Sequence, residues 1–438
     1  MILFTNKHSS RLDYIIGFAG NFFKGEPVII SNDISEYINY AGPKINYSEI
    51  GIADNEIRIQ PHRLLFEAGI SEQKVECFDV NGYTAFFKTD GSYPFDIFAA
   101  SFYLLSRYEE YLPHQKDEYG RYAHTNSIAY KEGFLSLPLI NIWFEDLRKS
   151  LQQTFRSFTF RHSHFTFIPT YDIDEAWAYK NKEWWRNTGG IFRDILSGNF
   201  KNIVTRLNVL RQKQQDPYDT YDWIDALNAE HNLSPVYFFL SAVKRGKYDK
   251  NISPESHQWR QLTKCHSEKY ATGIHPSWRS GDEPELLDSE IATLEKVSVK
   301  KKIVCSRQHY IRFTLPQTFR KLIESGITED YSMGYGSING FRASVATPFY
   351  WYDLDKEQQT PLLVFPFCFM DANSFYEQKL SADVAYEELM HYYTVVKSVN
   401  GTLITIWHNN FLGNDKRFEG WKEIYTRFIE SVSAKSVS

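Results

Sequence analysis

Asp172 and Asp174 close the apolar run FTFIPTYDI, which begins at residue 165. Residues two apart on an extended strand point to the same side, so T-Y-D-I-D sets two carboxylates side by side. Like charges that close raise one pKa, unless a cation holds both ionised. An aspartate ending a strand also caps turns, so the pair alone leaves both readings open. Three histidines close other apolar runs: His275 in G-I-H-P-S-W, His309 in S-R-Q-H-Y and His408 in I-W-H-N-N. A neutral imidazole at a strand end suits a divalent ion such as zinc, while a lone one is as readily a hydrogen-bonded structural residue. Asp371 ends a further run, and it and Asp330 could orient partners or cap loops. Arg342, in N-G-F-R-A, could grip a carboxylate with two prongs and orient a base. Trp278, Tyr310 and Trp407 stand beside these residues and could stack on a ring-shaped ligand, or simply pack. His162, His164, His231 and His266 lie in polar or turn-like surroundings and read as surface residues.

The elements that must hold these groups alternate. Strand-like runs cover residues 165–173, 234–242, 270–278, 301–310, 361–370 and 401–409. Helical patterns fall between most of them: Pro284–Lys296, Pro316–Ser325, a stretch from Ser381 to Val399, Asp219–Glu230, and Ile191–Gln214. Ser381 is placed to cap its helix, and Gly326 and Gly401 to stop two of them. Such alternation predicts a mainly parallel sheet covered by helices, open or closed into a barrel. In a parallel barrel, ligand-type residues at the carboxyl ends of strands converge on one mouth. The first 155 residues read differently: short strands at 27–31, 57–60 and 83–88, then a helix over Phe95–Tyr111. Arg107, Glu109, Glu110, Asp117 and Arg121 form a charged stretch there, read as a solvated helix face with a loop salt bridge. The division is 1–158, a smaller α+β unit, and 159–438, the alternating unit.

Composition narrows the classes. Of 438 residues, 16% are aromatic, which excludes a disordered chain. The net charge of −5 gives no basic excess for nucleic acid, and no cationic helix points to a membrane surface. No apolar run approaches the ~20 residues of a spanning helix. No secretion signal is visible, and four scattered cysteines suggest no disulfide framework, so a reducing cytoplasm is expected.

The ordered motifs T-Y-D-I-D, G-I-H-P-S-W, S-R-Q-H-Y, G-F-R-A and I-W-H make the second half resemble the polysaccharide deacetylase superfamily (NodB homology, carbohydrate esterase family 4). The resemblance covers roughly residues 160–420. It implies an α/β fold, a distorted (β/α) barrel of about seven strands with its site at the strand ends. It also implies hydrolysis of acetyl groups on amino sugars or glycans, usually with a divalent metal, here most simply zinc. By the same resemblance Asp172 is the general base, steadied by Arg342, and His408 is the general acid. Asp174, His275 and His309 hold the metal, although the family's second aspartate position is Ile173 here and its second histidine position is Arg279. Trp278, Tyr310, Trp407 and Asp371 form the substrate-binding set. The first unit resembles an accessory domain fused to divergent deacetylase-like domains. A place in surface polysaccharide metabolism follows, with a carbohydrate partner, no nucleic acid, no transmembrane segment, and an association with inner-membrane synthesis. Two other readings compete: a catalytically silent barrel serving as a glycan-binding or assembly module, and a metal-independent amidohydrolase of the same superfamily.

Overall fold

The structure, a computed structural model, describes residues 1–23, 27–160 and 164–433. Strands β1 (Ile2–Phe4), β2 (Ile29–Ser31), β3 (Lys44–Asn46) and β4 (Ile57–Arg58) form a parallel sheet in the order β2-β1-β3-β4. A short antiparallel hairpin follows, β5 (Phe78–Val80) with β6 (Tyr83–Ala85). Helices α1 (Ser10–Ala19), α2 (Ile34–Asn39), α3 (Ile97–Leu105), α4 (Ile128–Lys131) and α5 (Leu139–Thr154) belong to the same part of the chain. Asp96 caps α3 by accepting from the backbone N–H groups of Phe98 and Ala99, both at 3.0 Å. The helix expected over Phe95–Tyr111 stops early. Arg107 takes a left-handed φ of 54°, and Tyr108–Tyr111 forms a separate turn. This break swings Arg107 and Glu110 inward, where they are 1% and 5% exposed. The solvated-face reading of that stretch is corrected: Arg107, Glu110 and Arg121 are in the interior, while the expected loop salt bridge is Arg121 with Asp117 at 2.6 Å.

Among the described residues the second part carries nine strands: β7 (Thr166–Ile173), β8 (Val236–Leu240), β9 (Ala271–His275), β10 (Cys305–Ser306), β11 (Glu329–Asp330), β12 (Phe349–Asp353), β13 (Gln358–Val364), β14 (Phe369–Met370) and β15 (Thr402–His408). They lie in the order β12-β13-β11-β10-β9-β8-β7-β15-β14. All neighbours are parallel except β12 with β13. The fold is α/β, as the alternation predicts, but the expected barrel is corrected to an open sheet. Its edge strands, β12 and β14, do not pair among the described residues. One edge is instead taken up by the first part of the chain. Tyr14 of α1 donates its hydroxyl to Tyr350 O at 2.8 Å, and Arg11 pairs with Glu357 beyond β12. The contact satisfies one carbonyl of the edge strand and lays a helix against it, a common way to blunt an edge.

Helices α6 (Trp184–Leu196), α7 (Phe200–Leu210), α8 (Tyr221–Glu230), α9 (His257–Lys269), α10 (Glu285–Glu295), α11 (Gln317–Glu324), α12 (Ala382–Ser398) and α13 (Trp421–Ser433) fill the connections. The helical stretch expected over Ile191–Gln214 is two helices, divided at Gly198, whose φ of 70° an L side chain rarely adopts. β8 reads VYFFL and is buried throughout, as a central parallel strand covered on both faces should be. Among the described residues, no helix is long and apolar enough to cross a membrane.

Candidate active site

The two-residue period of β7 and β15 sorts their side chains. The strands pair in register, with Asp172 opposite His408 and Tyr171 opposite Trp407. Asp172 and His408 face the site. Tyr171 and Trp407 face the helix layer, where the Tyr171 hydroxyl meets that of Tyr425 at 2.5 Å and Trp407 packs against Trp421 and Tyr425. Trp407 is wholly buried, so its place in the substrate-binding set is corrected. It lies next to a site residue in sequence but on the opposite face of the sheet.

Asp174, His275 and His309 arrive from the ends of β7 and β9 and from the turn after β10. Their potential ligand atoms all lie within 4.8 Å of one another. His275 Nε2 is 3.2 Å from Asp174 Oδ1, and His309 Nε2 is 3.5 Å from Asp174 Oδ2. Each imidazole is fixed from behind. His275 Nδ1 donates to Arg307 O at 2.6 Å, and His309 Nδ1 donates to Asp249 Oδ1 at 3.1 Å. With Nδ1 committed as a donor, Nε2 is the nitrogen left to face the cluster, the arrangement that orients metal-binding histidines. Asp174 Oδ1 is buried and accepts no hydrogen bond. This one-carboxylate, two-imidazole donor set, with an unsatisfied oxygen at its centre, fits a divalent ion of the zinc type. Without an ion, burial pushes His309 down, but Asp174 and Asp249 outweigh it and raise the group to about 9.

The guanidinium on Asp172 belongs to Arg307, not Arg342. Arg307 Nη1 donates to Asp172 Oδ1 at 2.7 Å and to Thr170 Oγ1 at 2.8 Å, while its Nε donates to Tyr331 O at 3.0 Å. The ring of Phe238 lies 4.4 Å from the guanidinium carbon. Arg342 donates to both oxygens of Glu110 and to Gly334 O, and none of its described hydrogen bonds goes to Asp172. The expected two-pronged grip is real, but its carboxylate is Glu110. Arg107 shares that carboxylate at 2.8 Å.

His408 completes the ring of polar groups. Its Nε2 is 3.7 Å from Asp174 Oδ2. Its Nδ1 and backbone N–H both donate to Asp371, at 2.6 and 2.7 Å. Burial disfavours the imidazolium, but Asp371 outweighs it and His408 rises to about 10. Asp371 is fully buried beneath His408, so it orients that ring and is not exposed to substrate as expected.

Above the cluster, Tyr119, Tyr248, Trp278 and Tyr310 are all half-buried. The Tyr248 and Trp278 rings stack at 4.1 Å, and Tyr119 lies 5.5 Å from Tyr310. Tyr119 comes from the first part of the chain. Tyr310 has a φ of 58°, held by Arg121 donating to Tyr310 O at 2.9 Å. A Cβ on Gly336 would collide with both partners of that bond, so glycine is what lets it form.

Arg307, Asp249 and Tyr119 have no strand-end signature. Arg307 could have been found as a polar neighbour of His309 in S-R-Q-H-Y, whereas Asp249, in R-G-K-Y-D, has no histidine near it in the chain. His266 is buried between Tyr221 and Tyr237, which corrects its surface reading, and His162 lies outside the described residues.

Residues 1–156 match a family of unknown function, DUF7033. No curated protein matches the chain. Among solved structures the chain is similar to that of a supposed polysaccharide deacetylase from Mycobacterium smegmatis, with 13% identity and a TM-score of 0.41, covering 63% of this chain and 86% of that one.

Proposed function

We propose that this chain is a metal-dependent hydrolase that removes an acyl group from an amino sugar or glycan. The observation that carries the reading is the approach of Asp174, His275 and His309 to one point, with both Nδ1 atoms tied off behind. Asp174, His275 and His309 would hold a divalent ion, which would supply Lewis-acid chemistry for hydrolysis. The protein's own groups divide the proton work. Asp172, held by Arg307, accepts a proton from the attacking water. The water oxygen bonds to the acyl carbon, and the bond to nitrogen breaks. His408, kept protonated by Asp371, donates its proton to the departing amine. Trp278, Tyr310, Tyr248 and Tyr119 offer ring faces of the kind that stack on sugars. The first unit contributes to this mouth through Tyr119 and Arg121, which supports reading 1–158 and 159–438 as two cooperating domains.

The test uses the whole chain incubated with zinc, with elemental analysis after removal of free ion and acetate release from N-acetylglucosamine oligomers. Bound zinc is expected in the native protein and in Asp172→Asn, and is lost in His275→Ala and His309→Ala. Acetate release is expected from the native protein alone. A native protein that retains no ion overturns the metal reading. One that binds ion and oligomer without releasing acetate belongs to the glycan-binding reading.

A further inference from the structure

The helix pair α6 and α7 is built inside out. Its interior holds polar groups: Arg206 donates to Asp194 Oδ2 at 2.8 Å and to Asn187 Oδ1 at 3.1 Å, and all three are buried. The guanidinium carbon of Arg206 lies 4.5 Å from the Tyr179 ring. The outward face carries Trp184, Trp185, Phe192, Leu196, Phe200 and Val204. Trp184 is 79% exposed, Leu196 73% and Phe200 65%. A contiguous apolar face of this kind on a folded surface marks a contact. The exposed charges of the segment itself have one sign, although Lys180 pairs with Asp219 at 3.2 Å. From Lys180 to Lys213 the exposed charged residues are Lys180, Arg193, Lys201, Arg211 and Lys213, every one basic. The two acids of the segment point elsewhere: Asp194 is buried against Arg206, and Glu183 bonds to Arg245.

We infer that this helix pair docks on the surface of an anionic lipid bilayer. An amphipathic helix with tryptophan and leucine on one side and exposed cations in the same segment is suited to lie in the headgroup layer. Indole rings favour that interface. A second copy of the chain fits less well, because a self-complementary contact would bring the basic rims together. The pair is also joined to the site. Arg186 donates to Lys250 O at 2.7 Å and to Asn251 O at 3.0 Å, beside Asp249, the residue that fixes His309. Docking would hold the mouth close to the membrane. The inference needs no catalysis and stands apart from the hydrolase reading.

The experiment is sedimentation of the full chain with vesicles of phosphatidylcholine, or of equal parts phosphatidylcholine and phosphatidylglycerol. Binding to the mixed vesicles and not to the neutral ones is expected, with a blue shift of tryptophan emission. Binding should fall as salt rises, since each cation near an anionic surface contributes about fivefold in partition. Trp184→Ser/Trp185→Ser/Phe192→Ser should abolish sedimentation, and Arg193→Glu/Lys201→Glu should weaken it by more than tenfold. All five positions are exposed, so the thermal transition should not move. No sedimentation of the native chain with mixed vesicles, or equal sedimentation of the variants, overturns the inference. So does self-association without lipid that the triple variant loses, which would give the face to a second copy.

Discussion

His408 and Asp371 are joined twice. The imidazole Nδ1 and the backbone N–H of His408 reach the two oxygens of the one carboxylate, at 2.6 and 2.7 Å. The ring is thereby fixed in position, in tautomer and in charge. Asp371→Asn removes the charge and keeps the size. We expect kcat to fall by roughly a hundredfold to ten-thousandfold, the usual range for a displaced acid or base. His408, now near 10, should titrate lower, so the alkaline limb of the kcat profile moves to lower pH. A pH–rate profile of the variant checks both, and an unmoved limb would separate Asp371 from the acid.

Arg307 makes three bonds that a lysine cannot reproduce together. Arg307→Lys should lower kcat by about tenfold to a hundredfold through misplacement of Asp172, with KM little changed. Steady-state kinetics test this. Equal activity would mean that Asp172 needs no guanidinium.

Asp249 touches His309 Nδ1, the ring nitrogen that does not face Asp174. Asp249→Asn should weaken zinc binding by about 10–100-fold, as loss of an outer-shell partner does. Competition against a zinc-sensitive dye measures it without any substrate.

Glu110 tests the contact between the two parts of the chain. Burial pushes its carboxyl up, but Arg342 and Arg107 together outweigh this and hold it at about 2 rather than 4.5. A depressed carboxyl stabilises the fold above its unfolded pKa. The contribution is full above about 4.5 and is lost as pH falls toward 2, on the order of 3 kcal/mol. Glu110→Gln should cost about 3–5 kcal/mol at neutral pH, because it leaves buried guanidiniums without their anion. Denaturant unfolding between neutral pH and pH 3 should show the native protein losing stability more steeply than the variant.

Trp407→Ala separates packing from binding. Removing this ring from between Trp421 and Tyr425 should cost about 3–5 kcal/mol, with no specific rise in KM. Thermal unfolding and kinetics on the same sample decide it.

Much of the site was legible because parallel strands deliver their last residues to one end. Asp172, Asp174, His275 and His408 each close an apolar run, and the structure brings them together. What sequence could not reveal is which guanidinium meets which carboxylate. Arg307 follows an apolar run and Arg342 a glycine-rich stretch, and only the folded loops assign one to Asp172 and the other to Glu110. Parity hid Trp407, since neighbours on a strand face opposite ways. Closure is open to either reading for a related reason. Alternation dictates parallel strands but says nothing of what covers the last edge, and here α1 covers it. The overall charge of −5 likewise conceals a segment whose exposed charges are all positive.

The shared Glu110 carboxylate has a consequence for how such a chain can be inherited. Arg342 lies in one half, and its counter-charge is encoded 232 positions upstream. A recombination that exchanged the first half for an unrelated sequence would strand Arg342 in a dry interior. The halves are obliged to travel as a matched set, and drift at one of these three positions is answerable to the other two.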